Sequence, residues 1–343
     1  MSAIRKHRLT WPAIALLLLL GGNEIFRHEF LTIQVHDGHL YGSIIDILRN
    51  GAPLILVALG MTMVIASRGI DLSVGAIAAI AGAVSSTYIF SSPNPVSLST
   101  AATAVAIALA VGVVLGAWNG FLVSTVGIQP IIATLVLFIA GRGIAQLVTS
   151  GKIVTVTNLH YKASGAGYFL TLPLAILIAA AAFILAAIFT RRTALGMLIE
   201  AIGINPVASR LAGLKARNII WTVYIFSAFC SAIAGVMISS NVSAADANNA
   251  GLYIEMDAIL AVVIGGTSLA GGRYSLLGTL VGALIIQSLT TTVYSVGIPP
   301  EVTLVFKSLV VVAVCLMQAP RARALLRRWR RPSHPRAAEL AAT

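Results

Sequence analysis

The sequence predicts an all-α polytopic membrane protein with about ten transmembrane helices and one short capped helix lying on the cytoplasmic face. Three observations predict it. The 343-residue chain is 58% hydrophobic and 10% charged, where a soluble domain carries about 25% charged residues. Apolar runs long enough to cross hydrocarbon recur along it. One polar island, residues 191–218, interrupts those runs and carries Arg or Lys near both ends. Mean hydropathy is +0.94. No soluble fold of this length hides that much apolar surface, so the solvent is lipid, in which a helix satisfies its own backbone groups.

A crossing takes about 20 mostly apolar residues. Candidates stand at 11–31, 50–67, 71–90, 99–124, 128–149, 168–190, 219–240, 255–270, 275–294 and 300–319. This divides the chain into a cytoplasmic N-terminus at 1–10, one transmembrane domain at 11–319 and a basic tail at 320–343. The start, Arg5-Lys6-His7-Arg8 before Leu16 to Leu20, has the charge pattern of a signal peptide. Gly21-Gly22-Asn23-Glu24 offers no small-x-small cleavage site, so the first span is read as uncleaved. The eighth run is short and Gly-rich, a pattern that suits a broken or re-entrant helix.

The net charge of +12 is concentrated at Arg5, Lys6 and Arg8, in the island, and at Arg321, Arg323, Arg327, Arg328, Arg330, Arg331 and Arg336. In a soluble chain that balance would point to nucleic acid. Here it follows the positive-inside rule. With a cytoplasmic N-terminus, the sixth span ends inside at Arg191-Arg192 and the tenth ends inside before the tail, while Arg68 and Arg273 fall at inner turns. One assignment therefore satisfies every dense basic cluster, with both termini cytoplasmic. The tail is suited to anionic lipid headgroups as well. The longest outer segments are then 30–49, 150–167 and 241–254.

Inside the island, Asn205 is a good N-cap and Pro206 suits the first helical position, where a missing N–H is no loss. Gly213 can take the left-handed conformation that closes a helix. A rigid capped helix suits a docking surface, and Glu200, Arg210 and Lys215 can orient a partner on it. A plain solvated loop is the other reading.

The turns after spans two and eight look alike: Val64-Ile65-Ala66-Ser67-Arg68-Gly69 against Val263-Ile264-Gly265-Gly266-Thr267-Ser268. An internal repeat and shared turn chemistry both explain this. Gly112, Gly116 and Gly120 form small-x-x-x-small steps on the fourth span, and Gly278 with Gly282 forms another. Such faces let helices approach closely, within the chain or across a dimer.

The sequence carries no enzyme site. The only Gly-Lys pair, Gly151-Lys152, is followed by Ile153 and lacks the Walker A context. The histidines His7, His28, His36, His39, His160 and His334 lie in terminal or loop segments, with no metal-ligand spacing; no cofactor or metal is expected. Cys230 and Cys315 fall within apolar runs as small hydrophobes. A charge at mid-bilayer is costly, so such residues mark pathways. Arg142, half-way along the fifth span, is the one expected there. It is read either as a pathway contact or as a side chain satisfied by carbonyls at a Gly141–Gly143 kink. Asp71, Glu255 and Asp257 lie at span ends, and Asp71 sits where a helix N-terminus welcomes negative charge. The neutral polar residues Asn119, Gln129, Thr134, Gln146 and Gln287 suit an uncharged, hydroxyl-rich solute; each singly also suits helix–helix contact.

These residues resemble the permease subunits of bacterial ATP-binding-cassette sugar importers of the ribose/galactose/autoinducer group. The matching stretches are Gly60-Met61-Thr62, Gly69-Ile70-Asp71-Leu72-Ser73-Val74-Gly75, Trp118-Asn119-Gly120, Pro130-Ile131-Ile132-Ala133-Thr134-Leu135 and Ala261-Val262-Val263-Ile264-Gly265-Gly266-Thr267-Ser268-Leu269. Thr193-Ala194-Leu195-Gly196 with Gly203, Asn205, Ala208 and Gly213 is similar to the family's cytoplasmic coupling loop. Asp37-Gly38, Gly42-Ser43-Ile44-Ile45-Asp46-Ile47-Leu48, Ala245-Asp246-Ala247-Asn248-Asn249-Ala250-Gly251-Leu252 and Tyr274 resemble its galactofuranose branch.

The resemblance implies an inner-membrane permease for a neutral monosaccharide such as galactofuranose or a ribose-like sugar. A separate cytoplasmic cassette ATPase would dock on Glu200, Gly203, Asn205, Pro206, Ala208, Arg210 and Gly213. A periplasmic sugar-binding protein would dock near Asp37, Asp246, Asn248 and Asn249. A second permease, identical or different, would complete the path. Two alternatives are an ion-coupled secondary sugar transporter, which the scarcity of intramembrane carboxylates disfavours, and a non-transporting receptor or scaffold subunit.

Overall fold

The computed structural model describes residues 2–26, 28–36, 38–297, 299 and 302–318. Helix α1 (Ser2–Phe26) leads to a hairpin of β1 (Gln34–His36) and β2 (His39–Tyr41). Next come α2 (Ser43–Ala66), α3 (Val74–Ser91), α4 (Leu98–Phe121) with a π-helical turn at Leu122–Val126, and α5 (Pro130–Val148). A connecting segment carries β3 (Val154–Thr155), α6 (Leu159–Ala166), β4 (Tyr168–Phe169) and β5 (Leu172–Pro173). Then follow α7 (Leu174–Arg192), α8 (Leu195–Ile204), α9 (Pro206–Leu211), α10 (Ala216–Val242), β6 (Ala244–Ala245), α11 (Ile254–Ile264), α12 (Leu276–Val296) and α13 (Val302–Gln318). Asp37 and the basic tail lie outside the described residues.

The chain is all-α, with strands only two or three residues long. Among the described residues, seven helices are long and apolar enough to cross a membrane: α2, α3, α4 with its π turn, α5, α7, α10 and α12. Leu9–Ile25 of α1 is a shorter apolar stretch, and α13 has 17 residues. The expected span at 255–270 is corrected to a half-crossing. Helix α11 has 11 residues, about 16 Å of rise against about 30 Å of hydrocarbon. It stops because Gly265 and Gly266 begin a turn, with Gly266 at φ 86°. Other differences are local. Helix α2 starts at Ser43 instead of 50, the island folds as two helices meeting at Asn205, and α6 was not expected.

Helix α10 is the centre of the bundle, packed by α2, α3, α4 and α6. Lipid gives helices no hydrophobic reason to associate, so close backbone approach and hydrogen bonds must do it. The glycine steps serve this purpose within the chain. A Cβ at Gly112 would stand 2.5 Å from Ala232 Cβ, and one at Gly116 would stand 2.6 Å from Ala228 Cβ. Gly120 faces Trp221, so one stripe of α4 lies along α10 over its length. Gly278 and Gly282 do the same for α12 against Gly265 and Ala261 of α11. Helix α7 instead keeps Ile184, Leu185, Ile188 and Phe189 exposed, as a lipid-facing helix does.

The connections sort to two ends. At one end Leu40 N–H donates to Thr171 O at 3.0 Å, β3 pairs with β6, and Asn158 Nδ2 donates to Pro95 O and Ser97 O at 2.7 and 2.9 Å. The Tyr161 hydroxyl lies 2.7 Å from Ser85 Oγ and 2.6 Å from Ser239 Oγ, fastening α6 to α3 and α10. At the other end the island meets the turns after α2 and α11. This two-ended sorting is what an alternating traverse produces.

Gly116→Val is expected to destabilise the chain by about 1–3 kcal/mol through overpacking against α10. Gly143→Val is expected to be tolerated, because nothing lies within 4 Å of its Cβ direction. Thermal midpoints of the two variants in detergent check this contrast.

Candidate coupling junction and polar path

The island builds its second helix as its residues dictate. Asn205 Oδ1 accepts from Val207 N–H at 3.1 Å and Ala208 N–H at 3.0 Å, and Pro206 takes the first helical position. Gly213 closes the helix at φ 84°, and Leu214 N–H returns to Ser209 O at 3.0 Å. Ile204, Val207 and Leu211 stay exposed, Leu211 at 85%, and Arg210 is exposed beside them. The outer face of the island is therefore apolar with a cation. Glu200 is half-buried, while Ala208 is exposed.

Its inner face is a backbone junction. Gly272 N–H donates to Ala66 O at 2.8 Å, joining the turn after α11 to the turn after α2. Gly203 lies directly on that bond: a Cβ there would collide with Ala66 O and come within 2.5 Å of Gly272 N. Gly271 in turn lies against the Arg68 side chain. The two turns also share their closing chemistry. Gly69 N–H bonds Val64 O at 2.9 Å after Arg68 at φ 69°, and Thr267 N–H bonds Val262 O at 3.2 Å after Gly266 at φ 86°. The likeness seen in the sequence is thus at least shared turn chemistry, shifted by one residue from the expected alignment. Tyr274 reaches the same end, with its hydroxyl against Gly196. Burial pushes that phenol up, so it stays neutral.

Above the junction is a polar knot. Asp71 is fully buried; its Oδ1 accepts from Ser73 N–H at 3.1 Å and Ser73 Oγ at 2.6 Å, and its Oδ2 accepts from Ser227 Oγ at 3.1 Å. Asn119 Nδ2 donates to Ser73 Oγ at 2.8 Å. Thr134 Oγ1 accepts from Leu72 N–H at 3.1 Å. The turn before α3 is thus tied to α4, α5 and α10. Asp71 caps the turn ahead of the helix and does not bond a donor within α3. Asn119 and Thr134, expected along the path, are buried here and occupied in holding this turn.

The remaining path candidates separate. Gln129 is exposed at the N-cap of α5, and Gln287 is half-buried facing Gly51 of α2. Arg142 and Gln146 meet the segment after β6. Arg142 donates to the carbonyls of Ala250 at 2.6 Å, Gly251 at 3.0 Å and Ala247 at 3.4 Å. Its carbonyl partners come from this distant segment and not from a kink in its own helix. Gln146 Nε2 donates to Asn248 Oδ1 at 2.6 Å. Asp246 folds the segment by accepting from Asn248 N–H and Asn249 N–H at 3.0 and 3.3 Å. The Asn249 side-chain amide, at 2.7 Å, holds the Asp246 carboxyl below its usual range.

Sequence reasoning missed two further charges within helices. Lys307 of α13 pairs with Asp257 of α11 at 2.8 Å. Arg49 of α2 donates to Asn241 of α10 at 2.8 Å. Lys307 lies inside the tenth span expected from the sequence, so its single charge was visible there. Its partner was not, since the two residues are 50 apart in the chain. Among the described residues there is no group of three or more His, Cys, Asp or Glu side chains arranged to hold a metal.

The model of the family described as the branched-chain amino acid transport system / permease component matches residues 43–315. The chain is 47% identical to the galactofuranose transporter permease protein of Escherichia coli K12, over 92% of each chain. It is 42% identical to the fructose import permease protein of Bifidobacterium longum, over 92% of this chain and 92% of that one. It is 35% identical to the ribose import permease protein of Haemophilus influenzae, over 88% of this chain and 90% of that one. No solved structure matches the chain.

Two substitutions test the site. Asp71→Ala is expected to cost about 1–3 kcal/mol by leaving buried donors without an acceptor, seen as a lower thermal midpoint. Gly203→Ala is expected to break the bond between the two turns, with transport lost and membrane insertion retained, as read by uptake beside a membrane-fraction blot.

The chain therefore belongs to the family of the branched-chain amino acid transport system / permease component, and it is a multi-pass membrane permease.

Proposed function

We propose that this permease is the membrane subunit of an ATP-driven importer of a neutral monosaccharide, galactofuranose or a ribose- or fructose-like sugar. The names of its relatives support the sugar class. The scarcity of unpaired charge among the described helices supports a neutral cargo. The protein lies in the inner membrane with both termini cytoplasmic, an orientation supported by the basic clusters beside the island and in the tail. ATP hydrolysis belongs to a separate cassette ATPase. A sugar-binding protein docks at the outer end, near Asp37, Asp246, Asn248 and Asn249, and a second permease completes the path.

The observation that carries this reading is the position of Gly203. The ATPase docks on the exposed face of α8 and α9, formed by Ile204, Val207, Arg210 and Leu211. The opposite face rests on the backbone bond between the turns of α2 and α12. A push on the island is thereby delivered to two membrane helices at once, as rigid-body coupling requires. The path itself runs past the half-helix α11 on the side of α5 that carries Gln146, whose neutral amide suits a hydroxyl-rich solute.

The test is sugar uptake into proteoliposomes holding the permease, its cassette ATPase and a binding protein. ATP-dependent uptake is expected. Uptake driven by a proton or sodium gradient without ATP would overturn the reading in favour of a secondary carrier, and a complex that binds sugar but never transports it would indicate a receptor. Gly213→Pro, which φ 84° excludes, and Arg210→Glu are each expected to reduce coupled uptake by about tenfold or more, the ratio of a lost contact worth about 1.4 kcal/mol. Insertion is expected to stay normal, and ATPase activity measured with the complex reports the uncoupling.

A further inference from the structure

The segment 246–253 does not end α10 and turn away. It folds back against α3 and α5: a Cβ at Gly251 would lie 3.4 Å from Ala78 Cβ, and Ala247 is 4% exposed, packed among Ala79, Ile80 and Ala145. Backbone carbonyls packed against protein need donors from it. Arg142 supplies the donors, reaching three carbonyls of the segment. A guanidinium is suited to this, since its planar fork presents several donors at once.

One group beside this arrangement has nothing to hold. Glu255, in the first turn of α11, is 1% exposed, and neither carboxylate oxygen has a hydrogen-bond partner. Its Oε2 lies against Gly75 in the first turn of α3, where any side chain would collide with it. It is within electrostatic reach of Arg142. Yet among the described residues the ion pair formed is Lys307 with Asp257. A buried carboxylate without a partner is expensive, and the cation that would satisfy it is engaged nearby. One cation thus stands near two sets of acceptors, three carbonyls that it holds and a carboxylate that it does not.

We propose that Arg142 and Glu255 form a two-position latch on the segment 246–253. In this structure the guanidinium holds the carbonyls of Ala247, Ala250 and Gly251 and keeps the segment packed on α3 and α5. When the segment is released, the guanidinium passes to the Glu255 carboxylate, which stabilises the open state. Gly75 is the space in which that carboxylate waits. The latch rests on the outer placement of 246–253 given above, and it assigns Arg142 and Glu255 to gating. They are positioning residues here, with no contact to the sugar required of either.

The experiment uses the whole importer in right-side-out vesicles, with Cys230 and Cys315 replaced by alanine and Ala247→Cys as reporter. That thiol is buried while the latch is closed and reacts with a membrane-impermeant maleimide when it opens. Arg142→Gln is expected to raise the labelling rate about ten- to hundredfold, because the closed state loses charge-assisted hydrogen bonds to three carbonyls while the open state loses one ion pair. Glu255→Gln is expected to lower labelling below the parent and to abolish uptake, because the open state loses its acceptor. The double variant is expected to behave as Arg142→Gln does. Arg142→Lys, a point charge that cannot bridge three carbonyls, is expected between parent and Arg142→Gln, and Glu255→Asp is expected to recover part of the parent labelling. Membrane-fraction blots establish insertion of each variant. If Arg142→Gln and Glu255→Gln shift labelling in the same direction, or leave it unchanged, both residues merely support packing and the latch is overturned. Labelling from the cytoplasmic face alone would overturn the orientation, while the opposed signs of the two variants would still support the latch.

Discussion

Backbone meets backbone along α10, and the bundle depends on that contact. Gly112 and Gly116 bring α4 onto Ala232 and Ala228, Gly60 brings α2 onto Ser227, and Gly235 brings α10 onto the Ala78 peptide of α3. In water, burying side chains would hold such helices together. In lipid the hydrocarbon outside is as apolar as the core, so area alone gives little, and dispersion at short range with local hydrogen bonding must supply the difference. A methyl group at these glycines would separate the helices and weaken both terms.

Close packing leaves the chain with breaks to satisfy, and each break is satisfied from a neighbouring helix. The turn 67–73 stands inside the bundle, where Asp71, Asn119, Thr134 and Ser227 take up its donors and acceptors. The returning segment 246–253 is served by Arg142 and Gln146 from α5. The half-helix α11 begins beside the first turn of α3, with Gly251 lying against Gly75. Interrupted helices of this kind mark the working region of membrane transporters, because irregular backbone is tolerated only where protein or a path covers it.

The two ends are built differently. At the island end, Gly203 touches the Ala66–Gly272 bond, so motion there needs no side chain to reorganise. At the other end, a single guanidinium holds three carbonyls. A stiff contact suits transmission of force; a charged side chain on a long stem suits release. Between them stand α2, α10 and α12, whose glycine contacts leave little slack.

Local chemistry determined what the sequence by itself decided. Apolar runs of span length fixed an all-α membrane protein, and Asn205, Pro206 and Gly213 wrote the start and stop of α9, because caps act over three or four residues. The glycine steps at Gly112, Gly116 and Gly120 announced a close helix contact for the same reason. Tertiary structure alone decided their partners. It turned those glycines toward α10, set Asn119 and Thr134 to hold the turn at Asp71, and paired Lys307 with Asp257. Each of these depends on groups tens of residues or more apart meeting in space. In a bilayer any polar group without water takes whichever partner the packing brings within reach, and one-dimensional periodicity carries no record of that choice.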